Sequence, residues 1–144
     1  MPRVLVDTTV LFAAAYRNDS AHEDALPILR GIDAAELPEA VVLDYVLAET
    51  LNGLTAHAGH TTAVDFLDRI EENARVHIAS LTGDEFATAK ALFRQYEQFS
   101  LVDAALVAYM HASGIEDLYA FDDDFDAAPD IRRLATATNP YQPK

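Results

Sequence analysis

The sequence predicts an α/β fold, a three-layer α/β/α sandwich built on a parallel sheet of about five strands. Two observations lead there. Short β-branched or aliphatic runs alternate with helical patterns along all 144 residues, and no hairpin signal such as Asn-Gly joins two alternating runs, so the strands pair in parallel through right-handed crossovers. About half of the residues are aliphatic or aromatic, which is enough for one well-buried core and argues against disorder.

Taken in order, Arg3 to Val6 reads as the first buried strand and Thr9 to Tyr16 as a helix starting just after Asp7. Ser20 with Glu23 has the spacing of a capping box, opening a second helix to about Ile32 that carries Pro27 inside it. Ala40 to Leu43 follows as a strand, and Asp44 to Ala58 as a helix stopped by Gly59. Thr61 to Asn73 is an amphipathic helix with Val64, Phe66, Leu67 and Ile70 on its apolar face. Arg75 to Ala79 is the third strand. Thr82 with Glu85 caps a helix to about Tyr96, striped by Phe86, Ala89 and Phe93, and Ser100 caps another that ends at Gly114. Leu118 to Phe121 and Ile131 to Ala135 complete the strands. There is no linker, repeat or low-complexity segment, so residues 1–144 are expected to form a single domain, with a core over 1–138 and a tail over 139–144.

With 24 acids against 10 bases and a net charge of -14, the chain lacks the clustered Lys and Arg that give broad affinity for phosphate backbones. Arg17, Arg94, Arg132 and Arg133 are the basic side chains best suited to contact phosphate. The acid excess, with only Lys90 and Lys144 as lysines, suits a protein that stays soluble in a salt-rich cytoplasm. The absence of cysteine excludes disulfides, thiolate metal sites and a cysteine nucleophile, in keeping with a reducing compartment. No apolar run approaches the roughly 18 to 20 residues that span a bilayer, and a cytoplasmic protein is expected.

Four acids occupy places where local pattern calls for an apolar side chain. Asp7 ends the run RVLV, Glu49 lies inside YVLAETLNGL, Asp103 is the only acid in LVDAALVAYMHA, and Asp122 closes LYAFD. Each has a plainer reading. Asp7 can cap the helix that follows it; Glu49 can be a surface acid at the border of an apolar face; Asp103 stands three residues after Ser100 in an S-x-x-D box; Asp122 can be a turn residue in the solvated cluster DDDFD. The joint pattern says more. Acids at two strand ends and on two apolar helices, with no basic neighbour in sequence, would repel one another if they converged, and convergence would call for a cation. Oxygen donors without Cys or matched His select Mg2+ or Mn2+ over zinc, and such ions activate water and stabilise the leaving oxygen of a phosphodiester.

Other motifs carry less. His57 and His60 straddle Gly59 with no third ligand and read as exposed histidines at a helix end. There is no nucleophile elbow, glycine-rich phosphate loop or dinucleotide fingerprint.

VLVDTTVL, LAETLNGL, SLVDAALVAYM and YAFDDDFD, in this order, resemble the PIN-domain ribonucleases, and the compact length is similar to the VapC-type toxins of toxin-antitoxin pairs. The resemblance covers nearly the whole chain and implies a PIN-like sandwich with metal-dependent endoribonuclease activity. Position by position it implies Asp7, Glu49, Asp103 and Asp122 as catalytic, metal-binding acids, Asp124 as a further metal-binding acid, and Thr9 as a supporting side chain. Asp7, Asp103 and Asp122 would hold the principal ion, Glu49 and Asp124 a second ion or the attacking water, and Asp123 and Asp126 would be solvated neighbours. Ala120 departs from the family, which commonly has a threonine or serine there. The resemblance further implies an RNA substrate, a homodimer, and an antitoxin that wraps the toxin and covers the acidic pocket, often with a basic side chain. A PIN domain acting in RNA processing, or a silent RNA- or protein-binding module, remains the alternative reading.

Overall fold

The computed structural model describes residues 2–142. Five strands form one parallel sheet in the order β3-β2-β1-β4-β5, with β1 at Arg3–Val6, β2 at Glu39–Leu43, β3 at Val76–Ala79, β4 at Asp117–Tyr119 and β5 at Arg132–Leu134. Every pair is parallel, with Leu5 opposite both Val41 and Leu118. The central strands are continuous apolar runs because both their faces are covered: Val4, Leu5, Val41, Val42, Leu43 and Leu118 are all buried.

Helices α1 (Thr8–Ala15) and α2 (His22–Asp33) join β1 to β2, and α3 (Asp44–Ala58) and α4 (His60–Glu72) join β2 to β3. Helices α5 (Gly83–Gln95) and α6 (Leu101–Ser113) carry the chain back past β2 and β1 to β4. Right-handed crossovers place the first four helices on one face and the last two on the other; α1 packs on α2 and α3, and α5 on α6. This is the expected sandwich. Successive strands move outward from β1 in opposite directions, so the carboxyl ends of β1 and β4 flank the switch point where α/β sheets open a crevice.

The helix ends follow the sequence closely. Thr82 with Glu85 and Ser100 with Asp103 both form complete capping boxes, and Gly114, at φ 74°, takes the left-handed conformation that closes α6. Two expectations are corrected. Ser20 does not cap α2: the carboxylate of Asp19 accepts the Ala21 amide at 2.8 Å instead, and α2 starts at His22 without a side-chain cap. Pro27 is accommodated within α2 at an exposed position. Phe93 does not join the buried stripe of α5: Ala89 is fully buried but Phe93 is 48% exposed.

The tail expected over 139–144 is described up to Gln142; Pro143 and Lys144 lie outside the described residues. Asn139 donates to the Glu36 carbonyl at 3.1 Å and the Tyr141 hydroxyl to the Arg3 carbonyl at 3.0 Å. No helix among the described residues is long and apolar enough to cross a membrane.

Candidate metal centre

Each acid reaches the carboxyl end of the sheet by a different device. Asp7 extends β1 by one residue, its amide donating to the Tyr119 carbonyl of β4 at 2.9 Å. Its carboxylate turns back to cap α1, accepting the Thr9 amide at 3.3 Å and the Thr9 hydroxyl at 2.7 Å. Asp103 sits in the first turn of α6 and closes the box with Ser100, whose amide donates to Asp103 Oδ2 at 3.1 Å. Asp122 follows β4 and caps a 3-10 turn over Asp123–Ala127 by accepting the Asp124 amide at 2.9 Å. Glu49 projects from α3 and accepts the Thr8 hydroxyl at 2.7 Å. The plain readings of Asp7 and Asp103 as caps and of Asp122 as a turn residue are therefore correct, and they coexist with convergence.

All five acids line one cavity of about 590 Å³, together with Thr8, Thr9, Phe12, Asp19, Gln98 and Ser100. No lysine or arginine is among the lining residues. Within it, one carboxylate oxygen each from Asp103, Asp122 and Asp124 lie within 4.8 Å of one another. Asp124 joins Asp103 and Asp122 because the 3-10 turn after Asp122 carries it there, while Asp7 lines the same cavity with one oxygen bonded to Thr9. A second cavity, about 600 Å³ between α2 and α4, is lined by polar and apolar side chains in near-equal measure, Arg30, Asp33, Asp65, Arg69 and Glu72 among them, and holds no cluster of acids among the described residues.

The electrostatics follow from burial and like charge. Asp7 is 3% exposed; burial pushes its carboxyl up to about 6 against the lowering effect of the Thr9 bonds, with the Asp103 charge adding to the rise. Asp103 is raised by burial first and then by Asp122 and Glu49. Asp124 is raised chiefly by the Asp122 charge. Three raised carboxyls facing one space are uncompensated negative charge, and an all-oxygen set of this kind suits a hard dication such as Mg2+ or Mn2+.

Sequence reasoning missed Asp19, Thr8 and Gln98. Asp19 was legible in Asp19-Ser20-Ala21 as an Asx turn, whereas nothing in sequence marks the last two. Arg132 and Arg133, expected as phosphate contacts, are both ion-paired: Arg132 Nε donates to buried Asp117 at 2.5 Å, and Arg133 grips both oxygens of Asp126 at 3.0 and 3.1 Å. Ala120 is fully buried, its amide donating to the Leu134 carbonyl at 3.2 Å.

Comparison with known proteins completes the picture. The PIN domain family profile matches residues 4–131. The chain belongs to the PIN-domain family. Among curated PIN-domain relatives, the 23S rRNA-specific endonuclease VapC20 of Mycobacterium tuberculosis is 31% identical over 126 residues, covering 87% of this chain and 93% of that protein. The crystal structure of VapC20, described as a sarcin-ricin loop cleaving toxin, superposes with a TM-score of 0.77 at 29% identity, covering 88% of this chain and 95% of that one. VapBC2 from Rickettsia felis, bound to a DNA fragment from its promoter, has a TM-score of 0.67 at 16% identity over 92% of this chain and 97% of that one, and shows the same PIN fold. A toxin-antitoxin complex from Klebsiella pneumoniae, at 0.62 and 19% over 94% and 98%, shows it again.

Proposed function

We propose that this PIN domain is a Mg2+- or Mn2+-dependent endoribonuclease and the toxin component of a toxin-antitoxin pair. The observation that carries the reading is the Asp103–Asp122–Asp124 cluster, with ligand oxygens within 4.8 Å, in a cavity shared with Asp7 and Glu49 and lined by no basic residue. Similarity to VapC20, a 23S rRNA-specific endonuclease, supports RNA as substrate, with large ribosomal RNA as the first to test. A toxin of this kind implies an antitoxin partner that covers the acidic cavity, a homodimer, and action in the cytoplasm.

Asp103, Asp122 and Asp124 would hold the principal ion, with Asp7 completing the set from the end of β1. A bound dication supplies Lewis acidity toward a phosphate oxygen and lowers the pKa of water. The side chains do the rest. Asp7 and Asp103, held by Thr9 and Ser100, present fixed oxygens, so little reorganisation is required at the moment of reaction. Glu49, with one oxygen held by the Thr8 hydroxyl, keeps the other to orient the attacking water and accept its proton. The 3-10 turn after Asp122 keeps the Asp124 carboxylate with those of Asp103 and Asp122, where it would share in holding the ion.

Incubating the purified chain with RNA in Mg2+, in Mn2+ and with a chelator tests the reading. Cleavage that appears with either metal, stops on chelation and is absent from Asp103→Asn is the expected result. Cleavage that persists under chelation or in Asp103→Asn removes the metal mechanism.

A further inference from the structure

Helices α1 and α3 lie side by side and meet in matched steps of four residues. Thr8 donates to Glu49 at 2.7 Å. One turn on, the Phe12 ring lies so close to Gly53 that a Cβ there would stand 3.1 Å from Phe12 Cε1. One turn further, the Tyr16 and His57 rings have their centroids 5.9 Å apart. The Phe12 ring links the steps, 5.3 Å from Tyr16 and 5.8 Å from His57. Three mutually packed rings therefore begin at the wall of the acidic cavity, which Phe12 lines, and end one helical turn, about 6 Å, further along the helices.

We propose that Phe12, Tyr16 and His57 form a stacking subsite for a nucleobase of the RNA strand whose phosphodiester lies at the acids; this deepens the ribonuclease reading and rests on it. Packing of α1 on α3 accounts for Phe12 against Gly53. The same packing sets the His57 ring edge-on to Phe12 in the last turn of α3 but leaves His57 exposed at the far end of the cluster. The charge balance supplies the need. With a net charge of -14 and a cavity lined by no basic residue, phosphate attraction contributes little at the acids themselves; the nearest basic side chain along α1 is Arg17, exposed directly after Tyr16, where it would meet the strand beside the rings. Stacking of bases on aromatic rings is indifferent to net charge and tolerant of sequence, because every base has a π face. The four-residue steps connect that platform to the cavity without a break, so a strand leaving the acids along α1 and α3 meets the rings within a few nucleotides.

The test is steady-state cleavage by wild type, His57→Ala, His57→Tyr and Tyr16→Leu of one RNA, intact or carrying a single abasic site at each position flanking the cut. His57→Ala is expected to raise KM at least about five-fold on intact RNA, the lower end of what losing one stacked base costs, and to raise it more than it lowers kcat. Its effect should vanish when the abasic site falls at one particular flanking position, and His57→Tyr should restore wild-type KM. If His57→Ala and Tyr16→Leu cut intact RNA with wild-type KM, or if the penalty is the same on every abasic substrate, the subsite is overturned while the nuclease stands. If wild type cuts no RNA in Mg2+ or Mn2+, both readings fall together.

Discussion

The backbone amide of Phe121 donates to the Thr9 hydroxyl at 3.1 Å across 112 positions of chain. The same hydroxyl donates to Asp7 Oδ2 at 2.7 Å, so one threonine ties the exit of β4 to the acid that ends β1. Both neighbours carry the site: Asp7 directly, and Phe121 through Asp122 beside it.

Replacing Thr9 by valine keeps the shape and removes both bonds. The Phe121 amide then loses its partner and Asp7 its strongest local donor. Equilibrium unfolding should show a loss of about 1–3 kcal/mol, the cost of leaving a buried polar group unpaired, and weaker metal binding. Thr9→Ser should recover most of both.

The pH dependence of the metal-free protein has a definite sign. The Asp7 carboxyl is raised from 3.8 to about 6 in the folded state, so between those values the native protein holds a proton that the unfolded chain has lost. Stability from this group is full below pH 4 and declines as pH rises through 6, by about 3 kcal/mol at 1.36 kcal/mol per unit. Asp7→Asn removes the penalty, and the metal-free variant should unfold at higher denaturant than wild type at pH 7.5 while cleaving no RNA. A variant that is less stable at pH 7.5 would contradict the electrostatic account.

Asp103 serves fold and site together, and two substitutions separate these roles. Asparagine keeps an acceptor for the Ser100 amide, so Asp103→Asn should fold with wild-type stability to within about 1 kcal/mol and lose cleavage. Asp103→Ala also breaks the capping box and should cost about 1 kcal/mol more than the asparagine variant, read by thermal or urea unfolding.

Net charge makes a salt prediction. Self-repulsion at -14 is screened as the Debye length falls from about 10 Å at 0.1 M salt to 3 Å at 1 M, so the melting temperature should rise between those concentrations. A melting temperature that falls as KCl is added would show that the acid excess is already neutralised within the fold.

The sheet was legible because its strands are buried on both faces and read as unbroken apolar runs, and the helix starts at Thr82 and Ser100 were legible because capping boxes are local. Ser20 misled because Asp19, one residue earlier, forms its own turn by accepting the Ala21 amide, and the helix then starts one residue later than a Ser20 cap requires. Phe93 misled because periodicity gives the direction of an apolar stripe and not its extent: Phe86, Ala89 and Leu92 of α5 meet the core while Phe93 lies past its edge. At the site, misplaced polarity singled out Asp7, Glu49, Asp103 and Asp122, all of which line the cavity. The local detail was not legible: a 3-10 turn brings Asp124 to Asp122, and a threonine hydroxyl holds one Asp7 oxygen. Neither leaves a trace in periodicity.

The central claim is that these carboxylates are held together to bind a dication, and calorimetric titration of the metal-free protein with Mn2+ tests it most directly. The account predicts saturable binding that weakens ten-fold or more in both Asp103→Asn and Asp122→Asn while Asp65→Asn, at an exposed position on α4, binds as wild type. Binding that is absent from wild type, or equal in all of these variants, would contradict it.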